Sequence, residues 1–150
     1  MIQPLLDDLD YVGVLALELF LKNGELLVNE FAPRVHNSGH WTIDGAVTSQ
    51  FENHLRAICG MPLGDTSNKF RALMFNLLGE MPKVAGDIDS PSIHWHDYKK
   101  AAREGRKIGH VTVTAETAGG LEAKADELAD QLGVSAELNL ESVLKPVSSD

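Results

Sequence analysis

Apolar residues crowd two short stretches near the start of the chain, Tyr11 to Phe20 and Glu25 to Phe31, separated by Lys22-Asn23-Gly24. Valine, leucine and phenylalanine at that density around an Asn-Gly turn predict a β-hairpin. Pro33 ends the second strand, because it has no N–H to give to a ladder. Arg34 to Thr42 is polar, with Asn37-Ser38-Gly39 inside it, and reads as a loop. The period then changes. From Thr48 to Ile58, Phe51, Leu55 and Ile58 fall at helical spacing, with Ser49 as N-cap and Gly60 just past the end. Ahead of the hairpin, Met1 to Asp10 offers only half a helix.

Met61 to Asn68, rich in Pro, Gly, Asp and Ser, is the best internal boundary. Beyond it, Phe70 to Leu78 reads as a strand, although its Ala, Leu and Met leave helix open. Ser92 to Trp95 is a short strand. Lys107 to Thr114 is a stronger one, alternating Ile108, His110, Thr112 and Thr114 against Gly109, Val111 and Val113. Leu121, Ala125, Leu128, Ala129 and Leu132 line one face of a late amphipathic helix. Asn139 to Asp150 reads as an edge strand or loose tail. The expected fold is α+β in two pieces: residues 1–60, a hairpin backed by a helix, and residues 61–150, a small β-rich domain with one late helix.

Composition narrows the function classes. The 150 residues are 43% hydrophobic and 23% charged, enough to bury a core. The most apolar stretch, Val12 to Leu21, is interrupted by Glu18 and too short to span a bilayer, so no membrane segment is expected. A net charge of −9 disfavours nucleic acid and anionic lipid as partners. No secretory leader pattern opens the chain, and the single cysteine, Cys59, fits a reducing cytosol, so a cytoplasmic protein is expected. With no base nearby in sequence, Cys59 itself is expected to pack in the core.

Two carboxylates stand out on the hairpin. Glu18 sits inside an apolar strand, where an ionised group is costly unless paired or metal-bound, and Glu30 sits in the returning strand. Register decides whether they meet. A two-residue Asn23-Gly24 loop pairs Glu18 with Asn29 and sends Glu30 to the other face. A three-residue loop with Gly24 left-handed pairs Glu18 with Val28 and leaves Glu30 a diagonal neighbour on the same face. The second register suits two carboxylates sharing a hard cation such as Mg²⁺, which takes oxygen ligands. Directly downstream lie Arg34, a planar fork for phosphate or carboxylate, and His36, Asn37, Ser38 and His40.

These residues carry a resemblance. Val12-Gly-Val-Leu-Ala-Leu-Glu18, followed by Val28-Asn-Glu-Phe-Ala-Pro-Arg-Val-His-Asn-Ser-Gly-His-Trp-Thr42, resembles the metal-binding end of an ATP-grasp domain. Within that group it is most similar to the 5-carboxyaminoimidazole ribonucleotide synthetases. Ser49-Gln-Phe-Glu52, His54-Leu-Arg-Ala57 and Gly105-Arg-Lys-Ile-Gly-His110 continue the match, which runs from about Tyr11 to about Thr114. The family uses ATP and bicarbonate to carboxylate the amine of 5-aminoimidazole ribonucleotide, through carboxyphosphate. The resemblance implies that Glu18 and Glu30 hold Mg²⁺, with Mn²⁺ as the other candidate, and that Asn29 and Glu30 lie against the nucleotide. Arg34 and His36 are then the catalytic pair, facing the ribonucleotide and carboxyphosphate together with Asn37 and Ser38. Ala32 stands where many ATP-grasp enzymes carry a ligating Asn, which favours the Glu-x-Ala-Pro-Arg branch. Asn37-Ser38-Gly39-His40-Trp41 argues against the formate-dependent glycinamide ribonucleotide ligases, where Asp-Thr-Gly is expected.

Five of the thirteen basic residues fall between Lys99 and Lys107. On composition alone this is a solvated turn; the resemblance assigns Lys99, or Lys100 if the alignment slips by one, and Arg106 to the ribonucleotide's 5′-phosphate. His94 and His96 share a strand face but lack a third ligand for zinc, and His110 is expected to be a packed, hydrogen-bonding strand residue. No glycine-rich phosphate loop occurs in the chain. Taken alone, it is therefore expected to be an incomplete, inactive ligase, with a non-catalytic ribonucleotide-binding module or an orphaned fragment as alternatives. A hairpin without a larger sheet is also expected to leave an apolar edge, open to a second copy of the chain or to a complementing N-terminal fragment.

Overall fold

The computed structural model describes residues 2–83 and 90–132; the expected edge strand or tail at Asn139 to Asp150 lies outside them. The chain divides into two compact units, one ending at Asn68 and the other beginning at Lys69. Each combines strands with helices, an α+β architecture.

The first unit opens with helix α1 (Gln3–Leu9), closed by Asp10 in the left-handed region at φ 46°. The chain does not enter the sheet at Tyr11, as the apolar run predicts. Gly13 turns at φ 137°, and the Val14 N–H donates to Nδ1 of His54 at 3.0 Å rather than to a ladder. A β carbon at Gly13 would lie 2.8 Å from that imidazole. Strand β1 (Ala16–Lys22) therefore starts five residues late; it returns as β2 (Glu25–Ala32), which stops at Pro33.

The hairpin turn has two residues, not three: Lys22 pairs with Glu25. Asn23 and Gly24 both have positive φ, 53° and 81°, the turn whose twist matches the flanking strands. That register alone would set Glu18 opposite Asn29. Instead it slips by one residue between Glu18 and Leu19, so that Leu19 faces Val28 while Glu18 faces Glu30. Asn29 is the extra residue of a β-bulge. Neither of the two registers weighed from sequence is the one found.

A 3₁₀ turn (Asn37–Gly39), a one-turn helix α2 (Thr42–Gly45) and helix α3 (Gln50–Ile58) follow. The Ser49 hydroxyl accepts the Glu52 N–H at 3.2 Å, the cap anticipated for α3, and Gly60 leaves the helix at φ 64°. Cys59 is exposed at the end of α3, so the expectation that it packs in the core is wrong. The end of α3 carries no buried face, since Leu55 and Ile58 are themselves exposed. The Met61–Asn68 connection folds back on this unit: Asn53 Oδ1 accepts the Gly64 N–H at 2.8 Å, and Val47 N–H donates to the Ser67 carbonyl at 2.9 Å.

The described residues of the second unit form a three-stranded antiparallel sheet with one helix. Strands β3 (Arg71–Gly79), β4 (Ile93–Asp97) and β5 (Arg103–Ala115) lie in the order β3-β5-β4. Pairing with β5 decides the segment whose composition left helix open, since cross-strand partners outweigh local propensity. Helix α4 (Ala118–Leu132) packs its Leu121 and Leu128 into a cluster with Leu77, Ile108, Val111 and Val113. His110 is buried and accepts or donates at Nδ1 to the Tyr98 hydroxyl at 2.8 Å, a packed strand residue as expected. Among the described residues no helix is long and apolar enough to cross a membrane.

Candidate functional site

The bulge makes Glu18 and Glu30 direct cross-strand partners, about 5 Å apart at Cα and on one face. Like charges directly opposite each other destabilise a hairpin. A neighbouring donor relieves part of this: Nε2 of His36 lies 3.0 Å from Oε1 of Glu18, with the two side chains 15% and 40% exposed. The imidazole is oriented from its other side, where Nδ1 accepts the Ser38 N–H at 3.3 Å and lies 2.8 Å from the Ser38 hydroxyl. With Nδ1 an acceptor, the neutral ring carries its proton on Nε2 and donates it to the carboxylate.

The loop that brings His36 there is held by one side chain from α3. Gln50 Oε1 accepts the His36 N–H at 3.0 Å, and its Nε2 donates to the His36 carbonyl at 2.7 Å. The same Nε2 lies 2.8 Å from His40 Nδ1. Gln50's own N–H donates to the Thr42 hydroxyl at 3.0 Å, and His40 tilts against Phe51 with ring centroids 5.1 Å apart. From sequence, Gln50 figures only in the Ser49-Gln-Phe-Glu52 string, with no chemical role. Its partner lies 14 residues away, and only Gly39, whose absent side chain leaves room for the amide, hints at it: a β carbon there would meet Oε1 at 2.7 Å.

Of the sequence-predicted residues, the first unit thus gathers Glu18, Glu30, His36 and Ser38, with Asn29 in the bulge between them and Asn37 starting the 3₁₀ turn. The Arg34 side chain is exposed, and its Nη1 donates to the Val35 carbonyl at 3.0 Å; the group on the Glu18 acid is His36. The adjacent strand ends are apolar and open: Phe20, Leu21 and Val28 are 59%, 74% and 65% exposed.

Lys99 and Arg106 lie in the second unit, around the β4–β5 connection. Lys99 sits at φ 55°, its N–H and ammonium both bonded to the Asp97 carboxylate, at 2.7 and 2.8 Å. Lys100 lies over the Tyr98 ring, 4.9 Å from its centroid, and Arg106 Nη1 reaches the Ala101 carbonyl at 3.5 Å. The Lys99 side-chain and backbone donors hold the Asp97 carboxyl below the usual carboxylate range. Because that value is lowered in the folded state, the pair's contribution is present above the ordinary carboxylate range and is lost as pH falls through the lowered one. Lys99→Ala is expected to raise the Asp97 midpoint, read by carboxyl carbon-13 titration; an unchanged midpoint would show that the ammonium does not hold it.

The comparisons with known proteins bear on both units. Residues 1–51 match the ATP-grasp domain model, and residues 72–124 match the model of the phosphoribosylaminoimidazole carboxylase C-terminal domain. The N5-carboxyaminoimidazole ribonucleotide synthase of Vibrio cholerae is 50% identical over 149 residues, 98% of this chain and 39% of the relative. The chain belongs to the N5-carboxyaminoimidazole ribonucleotide synthase family. It corresponds to the C-terminal part of that ATP-grasp family and spans about two fifths of the relative's length. Solved structures of the family agree. The Thermus thermophilus synthetase superposes with a TM-score of 0.78 at 53% identity, covering 85% of this chain and 35% of that one. The Aspergillus clavatus synthase, solved with ADP and 5-aminoimidazole ribonucleotide, gives a TM-score of 0.70 at 36% identity over 81% of this chain and 35% of that one.

Proposed function

We propose that this chain supplies the metal-gripping and substrate-gripping part of a cytoplasmic carbon–nitrogen ligase. The reaction is the ATP- and bicarbonate-dependent carboxylation of the amine of 5-aminoimidazole ribonucleotide, a step of purine biosynthesis. The observation that carries this reading is the direct Glu18–Glu30 register with His36 seated on Glu18. Two opposed carboxylates are an all-oxygen donor set suited to Mg²⁺ or Mn²⁺, and a cation there removes the repulsion between them. When bound, the cation neutralises phosphate oxygens of ATP.

The protein's own residues then divide the work. Glu18 and Glu30 hold the cation, and Asn29, the bulge residue next to Glu30, takes the nucleotide. Arg34 offers its exposed fork to an anionic oxygen pair. His36 holds the Glu18 carboxylate through its Nε2–H, and turns that hydrogen to the carboxyphosphate or the ribonucleotide when Glu18 gives its oxygens to the cation, with Asn37 and Ser38 completing the polar wall. Lys99 and Arg106 take the 5′-phosphate. Such catalysis is mainly positioning and charge stabilisation, so groups acting as a unit lose far more than their share when separated.

The purified 150-residue chain is accordingly expected to show no phosphate release that depends on bicarbonate and ribonucleotide, because it contains no glycine-rich phosphate loop. Turnover at the rate of a complete synthase would contradict this. Activity regained on mixing with a polypeptide matching the remainder of the Vibrio relative would support a site split between lobes. The open apolar hairpin is also expected to drive concentration-dependent self-association, read by sedimentation; a strict monomer at high concentration would count against it.

A further inference from the structure

We propose that Gln50 is a positioning residue, whose amide locks the His36–His40 loop so that the His36 imidazole stays over the Glu18 carboxylate. The proposal rests on the metal reading of the hairpin but uses a residue to which that reading gives no task. A primary amide can satisfy a donor and an acceptor of the same backbone residue at once, and Gln50 does so at His36, at 3.0 and 2.7 Å. Its second amide hydrogen points to His40 Nδ1 at 2.8 Å, which fixes that ring with its own proton on Nε2.

The clamp is mounted on a rigid base. Gln50 is the first residue of α3, its N–H is taken by Thr42, and the helix start is capped by Ser49. Gly39 keeps the space the amide occupies clear of any side chain. The nine-residue crossing from β2 to α2, residues 33–41, is thereby tied at the residue that reaches the acid. Glutamate is the discriminating substitution. It has nearly the same shape and still accepts the His36 N–H, but it cannot donate to the His36 carbonyl or to His40.

The test uses the 150-residue chain, nitrogen-15 labelled, as wild type, Gln50→Ala and Gln50→Glu, with circular dichroism confirming that each folds. In the wild type the His36 amide is expected to be protected from exchange; in Gln50→Ala it exchanges about tenfold faster, as loss of one hydrogen bond predicts. Gln50→Glu is expected to move the His40 ring proton to Nδ1, visible in long-range imidazole correlations and untouched by a merely structural role. Added Mn²⁺ alone is expected to broaden the β1 and β2 amides near Glu18 and Glu30 in all three proteins, and the His36 ring more strongly in the wild type than in either variant. Equal His36 exchange, an unchanged His40 tautomer and equal His36 broadening in wild type and variants would overturn the clamp. Absence of Mn²⁺ broadening in the wild type would overturn the metal reading instead, leaving the exchange and tautomer results to decide the clamp.

Discussion

Glu18→Gln is expected to weaken binding of Mn²⁺ to the chain by roughly a hundredfold or more, read by calorimetry or by the electron paramagnetic signal of the free ion. The size follows from the pairing. Hard cations are held by negative oxygen, and with Glu18 and Glu30 directly opposed each supplies half of the local charge. Glutamine keeps the length and loses the charge. Glu30→Gln should give a loss of the same order, because the two acids occupy equivalent positions across the hairpin. Glu25→Gln is the control: it lies on the same strand, beside the turn and opposite Lys22, and should leave the affinity unchanged. Equal losses in all three would show that Mn²⁺ responds to net charge, not to this pair.

Leu128→Ala carries the largest expected loss of stability. Its side chain is fully buried on the inner face of α4, in the cluster with Val111 and Val113 of β5. Truncation removes buried methyl groups and leaves a cavity that a helix crossing a three-stranded sheet can only partly collapse, a cost of about 2–5 kcal/mol. A small unit has little stability in reserve. Urea unfolding followed through the β5 amides should therefore shift its midpoint sharply downward, whereas Glu127→Ala on the exposed face should shift it little. A Leu128→Ala midpoint close to the wild type would mean that α4 does not hold the sheet as described.

What the sequence made legible follows the range of the interaction. The Asn23-Gly24 turn, the Ser49 cap, Gly60 past the helix and the apolar face of α4 are local choices and lie where the pattern puts them. The features that assemble the site are not local. Nothing in the alternation of Leu19, Val28 and Asn29 announces a bulge, yet the bulge turns a register that separates the acids into one that opposes them. The late start of β1 depends on His54 taking the Val14 N–H, a bond 40 residues long in sequence. His36 meets the Glu18 acid from a loop whose backbone Gln50 holds from 14 residues away, a contact no local pattern announces. Residue type announced which chemistry was present; long-range hydrogen bonds chose which atoms meet.

The proposed chemistry requires one cation shared by two opposed acids. Crystals of the chain soaked in Mn²⁺ and measured at the manganese absorption edge test this most directly. The prediction is an anomalous peak within ordinary carboxylate coordination distance, about 2.0–2.6 Å, of both Glu18 and Glu30 oxygens. Anomalous density elsewhere only, or a hairpin whose two acids point to opposite sides, would contradict it.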